Sequence, residues 1–468
     1  MKKFTKILIC LMLCVFGFGL VACKPDGGHP PKGAVGENNG GFSVKVGNFL
    51  YFVNGYNDTD DLTSKNQTFT VGALMVAELD ENGNLQRNEN GEVENARVLS
   101  NALCGFEATN LFANKGYLYF TTPCLEDVSG KVGDAEWAKQ RVVFNRMNLE
   151  TEKVEKVYQS TVNNDKLSFK YFFNGSNAYL LVFESGTSLD NADENVLYRV
   201  DLNNKKNVEK VATKLSTVVW DTTSNVEVGE ADQCANVFFA LNRKKNGTDE
   251  TENVLFRYNV ASNSKTEYEI NANEIKVKFV SNKYVYATIK NGENEDLYRA
   301  NFKNDEALEM LFASNNFTQM FLTEDGEDVV VCKENKILMI PYGSQNPISN
   351  VLEDDDATTV QIIGIKNGYI IYCNDKNAVK MASCNDLKNG EDVESVTLTT
   401  VEKLFKPEAS QDAAAIPAFD LDENYLYFYK TVGDNDYLHR IKIANNVSET
   451  EELVGKYLSA DIPEAEEA

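Results

Sequence analysis

The chain of 468 residues is predicted to be all-β, a β-propeller of eight four-stranded blades, with seven the alternative if the long first or second unit is miscounted. Three observations predict it. A short aromatic and β-branched run recurs eight times, at Phe49-Leu50-Tyr51-Phe52, Tyr117-Leu118-Tyr119-Phe120, Tyr179-Leu180-Leu181-Val182-Phe183, Val237-Phe238-Phe239, Tyr284-Val285-Tyr286, Val329-Val330-Val331, Tyr369-Ile370-Ile371-Tyr372 and Tyr425-Leu426-Tyr427-Phe428. After a polar turn a second run follows, plainest at Val196-Leu197-Tyr198-Arg199-Val200, Val254-Leu255-Phe256-Arg257-Tyr258, Asp296-Leu297-Tyr298-Arg299-Ala300 and Tyr437-Leu438-His439-Arg440-Ile441, which makes each repeat a hairpin. Long helical periodicity is absent. Equivalent points (Tyr51, Tyr119, Leu180, Phe238, Tyr286, Val331, Tyr372, Tyr427) stand 41 to 68 residues apart, the length of one four-stranded blade.

The elements follow in order. Residues 1–22 read as a signal segment: Lys2, Lys3 and Lys6 form a positive start, Ile7 to Val21 is uncharged and apolar, and the small Ala22 precedes Cys23. A run of this length, about 22 Å as a helix, falls short of the roughly 30 Å hydrocarbon core, which argues against a permanent membrane span. Leu20-Val21-Ala22-Cys23 resembles the lipobox of bacterial lipoprotein signal peptides. That resemblance implies cleavage between Ala22 and Cys23, lipid attachment to the Cys23 thiol, and a location on the extracytoplasmic face of a bacterial membrane. Two or three acyl chains anchor durably.

Residues 23–41 are the lipidated cysteine and an expected flexible tether, rich in Gly, Pro and Asn and nearly free of apolar side chains. The propeller is expected over 42–458 and an acidic tail over 459–468. Within the propeller, Val360-Gln361-Ile362-Ile363-Gly364-Ile365 and Val393-Glu394-Ser395-Val396-Thr397-Leu398 read as the strands flanking the seventh hairpin. Inner strands that are apolar on successive residues fit blades covered on both faces. The Tyr-Leu-Tyr-Phe run followed by Leu-Tyr-Arg is similar to the propellers of bacterial lipoproteins of unknown function, related in shape to those of the Tol system and of prolyl-oligopeptidase-type proteins. This likeness spans roughly residues 42–458 and implies fold without functional residues; no hydrolase domain is expected after the last blade.

Charge and residue usage narrow the function. The chain carries 46 basic and 71 acidic side chains, and loss of the three signal lysines would move the net charge from −25 to −28. Such a surface repels phosphate backbones and anionic headgroups, so nucleic acid is excluded as a partner and membrane contact is assigned to the lipid alone. Only His29 and His439 occur, which excludes Ser-His-Asp, Cys-His and multi-His metal chemistry. Cys104, Cys124, Cys234, Cys332, Cys373 and Cys384 form no CxxC pair and read as free thiols, Cys332 and Cys373 as buried strand residues.

No cofactor and no catalytic residue is expected. Oxygen donors suited to Ca²⁺ occur at Asp58, Asp60, Asp354 and Asp356, without the twelve-residue loop that would specify the ion; Asp80-Glu81-Asn82-Gly83-Asn84 reads as a turn and 354–356 as a solvated loop. The repeated Tyr198-Arg199, Phe256-Arg257, Tyr298-Arg299 and His439-Arg440 pairs read as packing, with the ring buried and the guanidinium satisfied at a blade edge. The expected function is a lipid-anchored, non-catalytic binding or scaffold module for an extracellular or periplasmic protein or glycan. The alternative is a carboxylate-based polysaccharide enzyme at the channel mouth, which would show two close carboxyls of unequal pKa beside aromatic platforms.

Overall fold

The computed structural model describes residues 28–457 except 56–71, 90–92, 95, 104–110, 125–140, 161–169, 185–193, 222, 226–229, 245–250, 269, 271, 273, 282, 293, 313–316, 342–350, 390–392, 406–417 and 444–449. Its strands form antiparallel meanders of consecutive segments. The first unit is β1 (Ser43–Val46), β2 (Phe49–Val53), β3 (Ala73–Glu78) and β4 (Arg97–Leu103); the second is β5 (Phe112–Asn114), β6 (Tyr117–Pro123), β7 (Val142–Asn148) and β8 (Val154–Gln159). The third comprises β9 (Lys170–Asn174), β10 (Asn177–Glu184), β11 (Glu194–Asp201) and the start of β12 (Val208–Trp220).

The thirteen residues of β12 serve two units. Val208 to Leu215 oppose β11, whereas Leu215 to Trp220 oppose the second strand of the fourth unit, which fuses the two units into one nine-stranded sheet. That sheet also holds a short hairpin, β13 (Thr223–Asn225) and β14 (Glu230–Gln233), and then β15 (Asn236–Lys244), β16 (Thr251–Asn259) and β17 (Ser264–Tyr268). The fifth unit is β18 (Glu274–Val280), β19 (Tyr284–Asn291), β20 (Asn294–Asn301) and β21 (Glu309–Phe312); the sixth is β22 (Gln319–Leu322), β23 (Val329–Lys333), β24 (Lys336–Ile340) and β25 (Val351–Glu353). The seventh holds β26 (Val360–Lys366), β27 (Tyr369–Asn374), β28 (Ala378–Ser383), helix α1 (Cys384–Asn389) and β29 (Ser395–Thr400). The last is β30 (Phe419–Leu421), β31 (Tyr425–Val432), β32 (Asn435–Lys442) and β33 (Glu452–Leu453). With β12 counted in both the third and the fourth unit and the β13–β14 hairpin set aside, the described strands group into eight sets of four.

Successive second-strand residues point to opposite faces, and both faces are covered. Leu50 and Phe52 enter the cluster shared with the last unit, while Tyr51 and Val53 enter the cluster shared with the second. The same division recurs at every junction, so that eight apolar clusters each join one unit to the next and the last joins the eighth unit to the first. First strands of neighbouring units lie side by side: β1 by β5, β12 by β18, β22 by β26 and β26 by β30. The molecule is a β-propeller. Among the described residues the first sheet (β1 to β4) and the last (β30 to β33) are each built from consecutive strands, so neither exchanges a strand with the other chain end; only in the fused sheet does the order depart, β14 pairing in parallel with β9.

One expectation is corrected. Residues 34–41, placed in the tether by their composition, lie along the first two units: the Gly36 and Gly40 amides donate to Ala113 and Leu111 carbonyls at 2.8 and 2.9 Å, and the Leu111 amide returns a bond to the Gly41 carbonyl at 2.8 Å. Main-chain pairing, which composition does not report, holds this strap. Glycine permits it, because a Cβ at Gly36 would stand 2.6 Å from Val44 and one at Gly41 2.2 Å from the Asp420 carboxyl.

Candidate functional site

Cys23, Ala22, Asp58 and Asp60 lie outside the described residues. The described Ca²⁺ candidates do not cooperate. Asp354, at 4% exposure, is not in a solvated loop; its Oδ1 accepts from Lys380 Nζ at 2.8 Å and its Oδ2 from Asn374 Nδ2 at 3.2 Å, so an ammonium occupies the oxygen a cation would need. Asp356 points to solvent. Asp80 closes a turn, accepting from the Asn82 and Asn84 amides at 2.8 Å each. Among the described residues no three His, Cys, Asp or Glu side chains are grouped so as to hold a metal ion.

Histidine and cysteine are structural. His439 is buried on β32, with Nδ1 2.9 Å from Glu451 and Nε2 3.3 Å from the Tyr457 hydroxyl. Cys124, Cys234, Cys332 and Cys373 are buried and Cys384 half-buried, all as thiols outside any disulfide; Cys104 lies outside the described residues. Burial holds the Cys234 and Cys332 thiols above their ordinary range.

The acids come nearest to the enzymatic alternative at Asp420. Burial pushes its carboxyl up to about 6, with Asp422 adding to the effect, against hydrogen bonds from Ser43 and Leu421. Both acids have structural partners. Asp420 Oδ2 accepts from the Ser43 amide and hydroxyl at 3.0 and 2.7 Å, which ties the last unit to the first, and Asp422 accepts from the Tyr427 hydroxyl and the Tyr425 amide at 2.7 Å each. The adjoining cavity holds only about 120 Å³ and is lined without an aromatic ring.

A larger cavity of about 350 Å³ opens between the sixth and seventh units, where the turn from β22 to β23 faces α1. The turn is set by its own side chains. Thr323 Oγ1 donates to Asp325 Oδ1 at 2.6 Å and accepts from the Asp328 amide at 3.0 Å, while Gly326 supplies the left-handed residue at φ 71°. Two bonds tie it to the seventh unit: the Gly368 amide donates to Glu324 Oε2 at 2.9 Å, and Lys388 Nζ to the buried Asp328 Oδ2 at 2.6 Å. Met339 and Ile365 add apolar lining.

The site is therefore acidic with an apolar component. The Thr323 hydroxyl holds the Asp325 carboxyl below its usual range, so that it stays charged, and the Asp328 carboxylate raises Lys388. Burial and the carboxylates of Glu324, Asp325 and Asp328 push the Cys384 thiol up to about 12, which leaves it protonated and a poor nucleophile. Such a cavity suits a cationic group carried on an apolar stem, a lysine or arginine side chain above all. Sequence reading missed it because its walls come from segments some 60 residues apart; the Thr-Glu-Asp-Gly-Glu-Asp string at 323–328 was its only local sign.

No protein-family description matches this chain, and no curated protein matches it in sequence. Solved structures are similar at low identity. A prolyl endopeptidase is 7% identical over 88% of this chain and 55% of its own, with a TM-score of 0.44. TolB from Acinetobacter baumannii is 11% identical over 64% of this chain and 57% of its own, with a TM-score of 0.30. The β-propeller domain of the trilobed protease from Pyrococcus furiosus is 11% identical over 75% of this chain and 95% of its own, with a TM-score of 0.42. This chain thus spans little more than half of the first two.

Proposed function

We propose that this chain is a lipid-anchored, extracytoplasmic propeller that acts as a non-catalytic binding or scaffold module for a protein or glycan. A basic protein segment is the best-fitted partner. The observation that carries this reading is the cavity between the sixth and seventh units, where charged Asp325 and Glu324 stand beside Met339 and Ile365 and the only thiol, Cys384, is held protonated. Cys23 would supply the anchor and residues 24–28 the tether, about 16 Å if extended at about 3.3 Å per residue, since His29 Nδ1 stands 3.6 Å from Glu152 and Pro30 is buried.

A titration of a fluorescent lysine- and arginine-rich peptide tests the site. Asp325→Asn is expected to weaken binding about tenfold, the equivalent of roughly 1.4 kcal/mol, and added salt to weaken it further. Equal affinity of the variant and the parent would remove the cavity from consideration. Crosslinking on intact cells, with Cys23→Ala as the released control, tests the anchor and the partner together; a blank protein list with retention on a polysaccharide panel would favour glycan.

A further inference from the structure

Three third-strand arginines reach out of their own unit. Arg146 Nη1 donates to the Leu202 carbonyl at 3.4 Å, Arg257 Nη1 to the Phe302 carbonyl, and Arg440 Nη1 to the Gly83 carbonyl at 3.1 Å. Each acceptor lies just past the third strand of the following unit, and for Arg440, in the last unit, the following unit is the first. The guanidinium is pre-aimed by its own sheet. Arg440 is fully buried, its Cζ 3.8 Å from the centre of the Tyr425 ring and its Nε 2.6 Å from Glu452 Oε1, directly across on β33. Arg146 repeats this between Tyr117, 4.5 Å from its Cζ, and Glu155.

The sequence carries both halves of the device. In Arg146-Met147-Asn148-Leu149, Arg199-Val200-Asp201-Leu202, Arg257-Tyr258-Asn259-Val260 and Arg299-Ala300-Asn301-Phe302 the Asn or Asp turns the chain and the apolar residue after it is buried. Asn148 Oδ1 accepts from the Thr151 amide at 2.9 Å, and Asp201 Oδ1 from the Asn203 amide at 2.9 Å. The first unit departs from the pattern: Val76 opposes Tyr51 where Arg146 opposes Tyr119. It keeps only a receiving half, the Asp80 turn, which presents the Gly83 carbonyl to Arg440 and Asn84 Oδ1 to the Tyr425 hydroxyl at 3.0 Å.

We propose that Arg146, Arg257 and Arg440 are plugs, that the carbonyl beyond the third strand of the next unit is the socket of each, and that Arg440 in the Gly83 socket is a bolt closing the ring in place of an exchanged strand. The plug works as a planar cation with several donors, stacked on a ring and fixed by a carboxylate, a geometry lysine does not reproduce.

Hydrogen exchange of the full chain tests it. Arg440→Met is expected to speed exchange at least tenfold over residues 79–87 and in β31 and β32, leaving the junction of the second and third units unchanged. Arg146→Met, the matched control, should do the reverse. Arg440→Lys should behave as Arg440→Met. Should Arg440→Met fail to fold, Tyr425→Phe, which loses only the hydroxyl to Asn84, is expected to give a smaller increase over the same residues. Uniform deprotection of every unit by a folded variant, or an unchanged 79–87 segment, would overturn the proposal.

Discussion

At the scale of single residues, Asp420 sets a pH dependence. Its carboxyl, pushed up to about 6 by burial, would titrate near 3.9 in the unfolded chain, so its contribution is fully present below about pH 4 and is lost as pH rises through 6. The gap in melting temperature between Asp420→Asn and the parent is therefore expected to move in favour of the variant between pH 4 and 7, with a ceiling of about 3 kcal/mol. A gap that stays constant would show that the hydrogen bonds from Ser43 and Leu421 outweigh burial. Asp420 and Asp354 also mark what sequence hides. The partners of Asp354 sit 20 and 26 residues away on the neighbouring unit, and Ser43, which bonds Asp420, sits 377 away, where only the closed ring brings it. Arg199, Arg299 and Arg440 were legible because strand register is local: each pairs with the acid opposite it on the fourth strand, Glu209, Glu309 and Glu452.

At the scale of elements, all eight second strands stand where the aromatic and β-branched runs put them, because burial on both faces writes itself into consecutive apolar residues. The double use of β12 was not legible, since nothing in Val208 to Trp220 distinguishes two neighbours from one, and the 34–41 strap was misread because its bonds are main-chain. Turns give a sharper contrast. Gly55 has φ 78° and a Cβ there would stand 1.8 Å from the Asp436 carbonyl, whereas Gly47 has φ 58° with open space around it. Gly55→Ala is expected to cost about 3 kcal/mol or more and Gly47→Ala about 1 kcal/mol, read as denaturant midpoints. Equal midpoints would mean the last unit yields freely at Asp436.

At the scale of the whole molecule, every apolar cluster is shared, so no unit buries both of its faces alone. A chain ending at Phe405, which lacks the eighth unit, would leave Leu426 and Phe428 missing from one neighbour's cluster and Tyr425, Tyr427 and Leu438 from the other. With roughly 1.5–3 kcal/mol attached to each large apolar side chain, that loss exceeds the margin of most domains. The truncated chain is expected to bind a hydrophobic dye and to melt without a cooperative transition; a sharp melt at the parental temperature would show that the remaining units close a smaller ring. The strand shared by the third and fourth units has a mechanical meaning as well. Among the described residues a hydrogen-bonded sheet runs unbroken across that one junction, while the others are joined by side chains, isolated bonds and, between the first and second units, the 34–41 strap. Under load the ring behaves as a chain of stiff plates with a single welded joint, and its bending is confined to the remaining hinges.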